Sequence, residues 1–318
     1  MPWTNIPGMQ DLSNLCQPGI LEPIPPVARY CVFALTDPGI DARAIKEALT
    51  RLSPLANGSD VVVGFGPSLV QALGCEVPAL HEFPKDFSGH GVEVPATPAP
   101  LWCWIRGSDL GHLLHLTRKV QKALAPAFAV DHVLNGFRHG WSDTGFGKDL
   151  TGFEDGTENP KGEEAVAAAF AHDAGQGLDG SRYVALEQWV DDLEAVEAPG
   201  DLEKDHHFGR RLADNEEIED APETAHVKRT AQESFDPEAF VLRRSMPWMD
   251  DMRAGLMFVA FGKSHQAFEQ QMRRMAGQDD GITDAMFAIS QPVTGAYFWC
   301  PPMRDGRLDL RRLGLGVA

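Results

Sequence analysis

Tyr30-Cys31-Val32-Phe33-Ala34-Leu35 is a short apolar run, and such a run predicts a β-strand. The segment that follows it, 41–52, carries apolar residues at helical spacing and predicts a helix. Val61-Val62-Val63-Gly64-Phe65-Gly66 predicts a second strand that ends in glycine. A strand, a helix and a strand therefore follow one another early in the chain.

The same order then recurs further along. Segment 101–105 predicts a strand, and segment 108–124 predicts a long helix with Ser108 as its N-cap and Asp109 in its first turn. A last strand is expected over 130–137. Strands and helices thus alternate as β-α-β-β-α-β, which is the ferredoxin-like arrangement.

The second part of the chain repeats this theme. Apolar runs predict strands over 183–189, 240–242 and 255–261, and the last of these leads into a helix over 264–275. We therefore predict an α+β fold of two ferredoxin-like halves. The segments 138–180 and 190–238 are rich in loop residues and charges, and long loops of this kind usually carry function.

The ends of the chain differ from these halves. The first 27 residues contain six prolines and little periodicity, so they predict an irregular arm. The expected division is an arm over 1–27, a first half over 28–145, a second half over 146–302 and a tail over 303–318.

Composition excludes several functions. The formal charge of −18, from 46 acidic against 28 basic residues, disfavours binding to a nucleic-acid backbone. No basic, apolar leader begins the chain and no apolar run approaches the ~20 residues that span a bilayer, so we expect a cytoplasmic protein without a membrane partner. The five cysteines form no C-x-x-C pair, and we expect free thiols.

Gly152-Phe153-Glu154-Asp155-Gly156-Thr157-Glu158-Asn159-Pro160 holds a carboxylate between two glycines. Alone it is weak support for a site, because Asp-Gly pairs occur in ordinary turns. Three later stretches accompany it, namely Ala225-His226-Val227, Arg243-Arg244-Ser245-Met246-Pro247 and Gly281-Ile282-Thr283-Asp284.

In order and spacing, these stretches resemble the dye-decolourising peroxidases, and specifically their bacterial class B branch. The resemblance covers residues 28 to 300. It implies two ferredoxin-like halves with haem b in the C-terminal half, and a peroxidase that uses hydrogen peroxide to oxidise dyes, phenols or other small reductants through a ferryl intermediate. No C-x-x-C-H sequence is present, so the haem is expected to bind non-covalently.

On the proximal side, the resemblance implies that His226 is the axial ligand of the haem iron. A neutral imidazole ligates ferric iron well. Asp284 falls where this branch places a carboxylate that accepts the other ring N–H of the histidine, although an aspartate before a short helix is also a common N-cap.

On the distal side, the resemblance implies that Asp155 moves the peroxide proton and that Arg243 supplies the fixed positive charge. Because aspartic side chains ionise at lower pH than histidine, we expect an acidic activity optimum. Ser245 stands where the family often has Asn, so this distal network differs from the common pattern. Arg244 should point the opposite way, to the surface or to a salt bridge.

Further contacts with the cofactor are expected from Gly156, Thr157 and Arg210. Glycine lets backbone approach a porphyrin closely. Arg210 lies in a segment that resembles a propionate-binding segment of the family, with an exposed surface arginine as the alternative. We expect a homo-oligomer, and the short C-terminal tail leaves packaging in a protein shell open.

Two other functions stay open at this point. One is a haem-handling protein that carries haem or removes its iron. The other is a non-haem metal hydrolase built on Asp155, Glu158 and either His172 or His139. His112 and His115 come closest to a metal-binding spacing of histidines on one helix face, but no acidic residue lies between them.

Overall fold

The computed structural model describes residues 15–141, 146–161, 168 and 175–316. Its strands are β1 Val27–Leu35, β2 Val61–Phe65, β3 Leu101–Gly107, β4 Phe128–Phe137, β5 His139–Trp141, β6 Gly147–Lys148, β7 Arg182–Asp191, β8 Leu242–Arg243, β9 Met246–Asp250, β10 Arg253–Gly262, β11 Ser290–Pro292, β12 Ala296–Cys300, β13 Met303–Arg304 and β14 Arg307–Leu308. Its helices are α1 Ala42–Leu52, α2 Pro67–Ala72, α3 Leu110–Leu124, α4 Leu193–Glu197, α5 Asp201–Phe208, α6 His226–Arg229 and α7 Gln266–Met275, with 3₁₀ turns at Pro18–Ile20, Gln232–Ser234, Ala285–Ala288 and Arg311–Leu313.

The first half is a four-stranded antiparallel sheet in the order β4-β1-β3-β2, with α1 and α3 on its outer face. This is the strand order of a ferredoxin-like unit. The predicted cap of α3 was wrong by one residue, because the Asp109 carboxylate, and not Ser108, accepts the free N–H of His112 at 2.6 Å. An aspartate at the N-cap also places negative charge at the positive end of the helix.

The second half repeats this order as β9-β10-β7-β12. The strand predicted over 240–242 is short, since β8 contains only Leu242 and Arg243, and β9 is the strand that completes the half. Among the described residues, one long helix, α7, packs on the outer face of this sheet. The connection from β7 to β9 is an insertion of more than fifty residues, and it lines a cavity on that face together with α7 and β10.

The two halves close into one barrel. β2 pairs with β12 at Phe65 and Trp299, and β4 pairs with β9 at Gly136 and Trp248, so eight strands of the described chain form a continuous antiparallel ring. Closure removes free sheet edges. The predicted α+β class with two ferredoxin-like halves is confirmed.

Aromatic side chains fill the barrel interior. Trp104 stacks on Tyr30 with ring centroids 6.3 Å apart, and Trp102 stacks on Phe298 at 5.9 Å. Gly136 leaves room for this packing, because a Cβ at that position would lie 2.8 Å from the ring of Tyr30. The interior is therefore a packed core that belongs to both halves.

The segments outside the halves are folded onto the barrel where they are described. The buried side chain of Gln17 bonds the N–H and C=O of Val63 and the C=O of Pro301, which links the middle of β2 to the residue after β12. Near the C-terminus, Leu308, Leu310 and Leu313 join the core between the first sheet and its helices. No helix in the described part of the chain is long and apolar enough to cross a bilayer.

Candidate active site

A cavity lies on the outer face of the second sheet, where the insertion and α7 enclose it. The space inside it, including the part open to solvent, is about 900 Å³. The residues at alternate positions of β10 point into it, and α7 closes the opposite side. Its apolar lining comes from Leu256, Phe258, Phe268, Met272, Met275 and Met286.

His226 faces this cavity from the first turn of α6. Its Nδ1 lies 2.8 Å from a carboxylate oxygen of the buried Asp284, and a carboxylate can only accept, so Nδ1 carries the proton of the neutral ring. Nε2 has no hydrogen-bond partner among the described residues. The other oxygen of Asp284 accepts the N–H of Met286 at 2.9 Å. Asp284 therefore makes both contacts considered from the sequence, one with the ring of His226 and one as the N-cap of a short helix.

Asp155 and Arg243 line the same cavity and form an ion pair at 2.5 Å. Both are largely shielded, with side chains 16% and 28% exposed, so the attraction is screened less than it would be at the surface. The cavity thus has an imidazole and a carboxylate–guanidinium pair in its walls.

Asn159 holds Arg243 in place and was missed as a functional residue. Its side-chain oxygen accepts the N–H of Arg243 at 2.7 Å, and its amide donates to the C=O of Arg243 at 3.1 Å. This bidentate contact fastens the loop around Asp155 to β8. Gly156 is required in this loop, because its φ is +79° and a Cβ would lie 2.9 Å from the Asn159 amide. The Asn-Pro pair that follows the loop is the signal that could have identified Asn159.

Arg210 and Thr157 line a second lobe of about 830 Å³, which shares His226 and Arg243 with the first. Arg210 is not an exposed surface arginine. Its side chain is 18% exposed, and its guanidinium pairs with Glu158 at 2.8 Å and Glu217 at 3.4 Å.

Ser245 and Gly156 line a separate cavity, which shares Asp155 with the cavity of His226, and their expected roles at the cofactor stay predictions. The Ser245 hydroxyl accepts the N–H of Val259 at 3.3 Å. Arg244 does point away from Arg243, but the predicted surface or salt-bridging position is wrong. It is buried and donates to the carbonyls of Ile20 and Leu21.

Two further aspartates line the main cavity and were not singled out. Burial raises the pKa of Asp149 to about 7, against a hydrogen bond from Thr151 that lowers it. Burial raises the pKa of Asp191 to about 6, against a 2.6 Å hydrogen bond from Ser290. Nothing local marks these carboxylates, because their desolvation depends on chain segments distant in sequence.

The cavity wall also contains Trp189, whose indole N–H donates to Glu187 at 3.1 Å. Glu187 is fully buried, and this burial raises the pKa of its carboxyl to about 8. The pair occupies alternate positions of β7 and therefore shares its outer face.

The geometry gives the metal hydrolase no support. Among the described residues no group of three or more histidine, cysteine, aspartate or glutamate side chains could hold a metal ion. His139 lines the separate cavity together with Asp155, without a third ligand there, and His172 lies outside the described residues.

Comparison with known proteins supplies the family. The sequence profile described as "Dyp-type peroxidase, C-terminal" matches residues 147–305, half of the chain. A dye-decolorizing peroxidase of Mycolicibacterium paratuberculosis is 30% identical over 303 residues, covering 89% of this chain and 82% of the relative.

Solved structures agree with this match. The encapsulated DyP-type peroxidase from Mycobacterium smegmatis has a TM-score of 0.79 at 25% identity, covering 91% of this chain and 96% of that one. A variant of DypB from Rhodococcus jostii RHA1 in complex with haem has a TM-score of 0.78 at 25% identity, covering 88% and 94%. Sequence match, barrel and cavity agree over nearly the whole chain, so this protein belongs to the Dyp-type peroxidase family and is a peroxidase of that type.

Proposed function

We propose that this peroxidase binds haem b non-covalently in the cavity between His226 and the Asp155–Arg243 pair, and uses hydrogen peroxide to oxidise dyes, phenols or other small reductants. The observation that carries the proposal is the imidazole of His226. Its Nδ1 is held by Asp284 at 2.8 Å, and its Nε2 has no partner among the described residues. Such a ring is prepared to ligate a metal through Nε2.

The residues of the cavity fit this cofactor. Porphyrin is a large apolar ring with two anionic propionates, and the cavity supplies apolar walls from β10 and α7 together with the cations Arg210 and Arg243. Arg210 lines the second lobe together with Thr157, and there it is a candidate partner for a haem propionate. The haem, when bound, supplies the iron centre that takes two electrons from the reductants and passes them to peroxide.

Asp155 is the group we assign to proton movement. Paired with Arg243 as a carboxylate, it accepts the proton from the inner oxygen of the peroxide, the one nearer the haem, and returns it to the outer oxygen. The outer oxygen then leaves as water. Arg243 remains charged throughout and stabilises the negative charge that develops on the leaving oxygen. Asn159 bonds the backbone N–H and C=O of Arg243 and so fixes the position from which its side chain extends.

Asp284 is a positioning residue for His226. By accepting the hydrogen bond from Nδ1–H, it fixes the tautomer of the ring and makes Nε2 a stronger electron donor to a metal.

A cytoplasmic location, a homo-oligomeric state and the division into 28–145 and 146–302 stay predictions of the sequence. The shell-packaging possibility concerns the tail, in which Leu308, Leu310 and Leu313 pack into the core of the first half.

The test is spectroscopic. Haem added to the purified protein should give a Soret band with ferric high-spin features, and His226→Ala should abolish it. In Asp284→Asn, which can still cap the 3₁₀ turn, we expect haem affinity to fall about 10–100-fold. A protein that stays colourless with haem would overturn the proposal, and iron-free porphyrin after anaerobic incubation would instead indicate a haem-handling protein.

A further inference from the structure

The segment 83–94 belongs to the first half by sequence but packs on the second half. It lies between α2 and β3, and its side chains Phe83 and Phe87 are buried together with α7. The two rings meet edge to face with centroids 5.4 Å apart, an arrangement that aromatic pairs favour. Gly295, which precedes β12, leaves room for Phe83, because a Cβ there would lie 2.7 Å from its ring. Part of the first half therefore lies against the helix that closes the main cavity.

Phe268 of α7 connects this segment to the main cavity. Its ring centroid lies 6.0 Å from that of Phe83 and 6.2 Å from that of Phe87. It also lies 6.0 Å from the ring centroid of Phe258, and both Phe258 and Phe268 line the cavity. Because close-packed interiors transmit displacements, a change at Phe83 or Phe87 is expected to move a wall of the cavity.

The side chains that hold α7 in place are also the apolar wall of the cavity. Phe268, Met272 and Met275 line the cavity, and they belong to one apolar cluster with Phe83 and Phe87. Dispersion attraction falls steeply with separation, so a displaced wall loses contacts with an apolar ligand such as a porphyrin.

Polar contacts fix the segment along α7. Asp86 pairs with Arg273 at 3.3 Å, and the C=O of Asp86 accepts a hydrogen bond from the side chain of Gln278, just beyond the helix. Nearer the start of the helix, Glu269 lies 3.1 Å from His81, two residues before the segment. These ion pairs are partly exposed and each contributes little energy, but together they set where the segment lies along the helix.

The segment also keeps its shape through its own hydrogen bonds. The Ser88 hydroxyl accepts the N–H of Val94 at 2.9 Å. Gly89 and Val92 exchange two backbone hydrogen bonds, at 2.9 and 2.8 Å. The segment is thus a compact loop that packs on α7 as one body.

We propose that the segment 83–94 positions the α7 wall of the main cavity and thereby sets how firmly the protein retains haem. Phe83 and Phe87 are positioning residues that act through Phe268, since both lie outside the lining of the cavity. The inference rests on the proposed function, because it takes the haem to lie in this cavity. Loss of ring contacts in the first half should therefore accelerate haem release from the second.

Haem release is measured on the haem-loaded protein by transfer to excess apomyoglobin, followed at the Soret band. Phe87→Leu keeps the position apolar and removes the ring contacts, and we expect the release rate to rise about 3–30-fold. Phe128→Leu is the matched control, because Phe128 is also a buried phenylalanine but lies in the core between the first sheet and its helices. Its release rate should stay within about twofold of the wild type.

A double-mutant cycle tests the route through α7. Because Phe87 acts through Phe268, the effects of Phe87→Leu and Phe268→Leu on the release rate should not simply multiply in the double variant. A wild-type release rate in Phe87→Leu, an equal acceleration in Phe128→Leu, or effects that multiply independently would overturn the inference. Failure of the proposed function is distinguishable, because the wild-type protein would then bind no haem to release.

Discussion

At the scale of single residues, the ion pair between Asp155 and Arg243 decides what the distal wall can do. The carboxylate can accept a proton while the guanidinium keeps its own, so one member moves protons and the other holds charge. Asp155 and Arg243 lie far apart in the sequence, so the sequence alone does not show that they are in contact. The contact depends on Asn159, which bonds the backbone of Arg243 and so joins the loop around Asp155 to β8.

Asp155→Asn removes the proton acceptor with almost no change in shape. We expect the second-order rate constant for the reaction with peroxide to fall about 10²–10⁴-fold, because the side chain can no longer take the proton of the inner oxygen. The measurement is stopped-flow absorbance at the Soret band. Haem affinity should persist, and Asp214→Asn, at an exposed aspartate paired with Arg211, serves as the control. A rate within threefold of the wild type would assign proton transfer to another group.

Glu187 shows how one buried carboxyl couples to stability. Its pKa is about 8 in the folded protein because of burial, against an ordinary value of 4.5. Between these pH values the folded state holds a proton that the unfolded state has released. The stabilising contribution of Glu187 is therefore complete below about pH 4.5 and is lost as pH rises through about 8.

Glu187→Gln removes this titration while keeping an acceptor for the Trp189 indole. We expect the free energy of unfolding of the wild type, relative to the variant, to decrease by a few kcal/mol between pH 5 and pH 8. Urea unfolding of the haem-free proteins at several pH values measures it. A difference that does not change with pH would contradict the assigned burial of Glu187.

At the scale of secondary-structure elements, the second half differs from the first in what covers its sheet. In the first half α1 and α3 pack on the outer face, and their apolar side chains form one core with the sheet. In the second half α7 covers part of the face, and the insertion that carries His226 and Arg243 encloses the remaining space. The site thus lies between the second sheet and the insertion, on the face that α7 covers in part.

The cap of α3 tests a local assignment within the first half. Asp109→Ala removes the acceptor for the N–H of His112, and we expect the protein to lose about 1 kcal/mol of unfolding free energy. Ser108→Ala is the matched neighbour and should change stability little, since no side-chain capping bond from Ser108 is present at this helix start. Denaturant unfolding of both variants decides between the two caps, and equal losses would contradict the assignment to Asp109.

At the scale of the whole molecule, the barrel makes the two halves interdependent. Each seam, β2 with β12 and β4 with β9, has a single paired register position, so strand hydrogen bonds alone join the halves weakly. The interior instead holds them together, because aromatic residues from both halves pack in one core. The segment 83–94 also connects the two halves. It follows α2 in the first half, and its side chains Phe83, Phe87 and Val94 pack with α7 of the second half.

This shared core predicts one cooperative unfolding transition for the haem-free protein. Tryptophan fluorescence, which reports Trp102, Trp104 and Trp248 in the interior, should change with the same denaturant midpoint as far-UV circular dichroism. Separate midpoints, or a stable folded fragment 28–145, would show that the halves are independent domains.

The sequence by itself determined the order and type of most elements, because periodicity and turn residues act locally. The sequence also carries the motifs whose resemblance to the peroxidase family implied the residues of the main site, Asp155, His226, Arg243 and Asp284. The helix cap at Ser108 was missed by one position, since neighbouring serine and aspartate are both good caps and only backbone geometry selects one.

Only the tertiary structure decided which cavity each side chain faces and how far that side chain is shielded from water. Ser245 lines a separate cavity that shares Asp155 with the main one, Arg244 is buried beneath the N-terminal segment, and Asp149 and Glu187 have raised pKa values. The physical reason is that burial and cavity shape are produced by segments distant in sequence. A local pattern therefore names a chemical group, while the packing of the whole chain decides what that group faces.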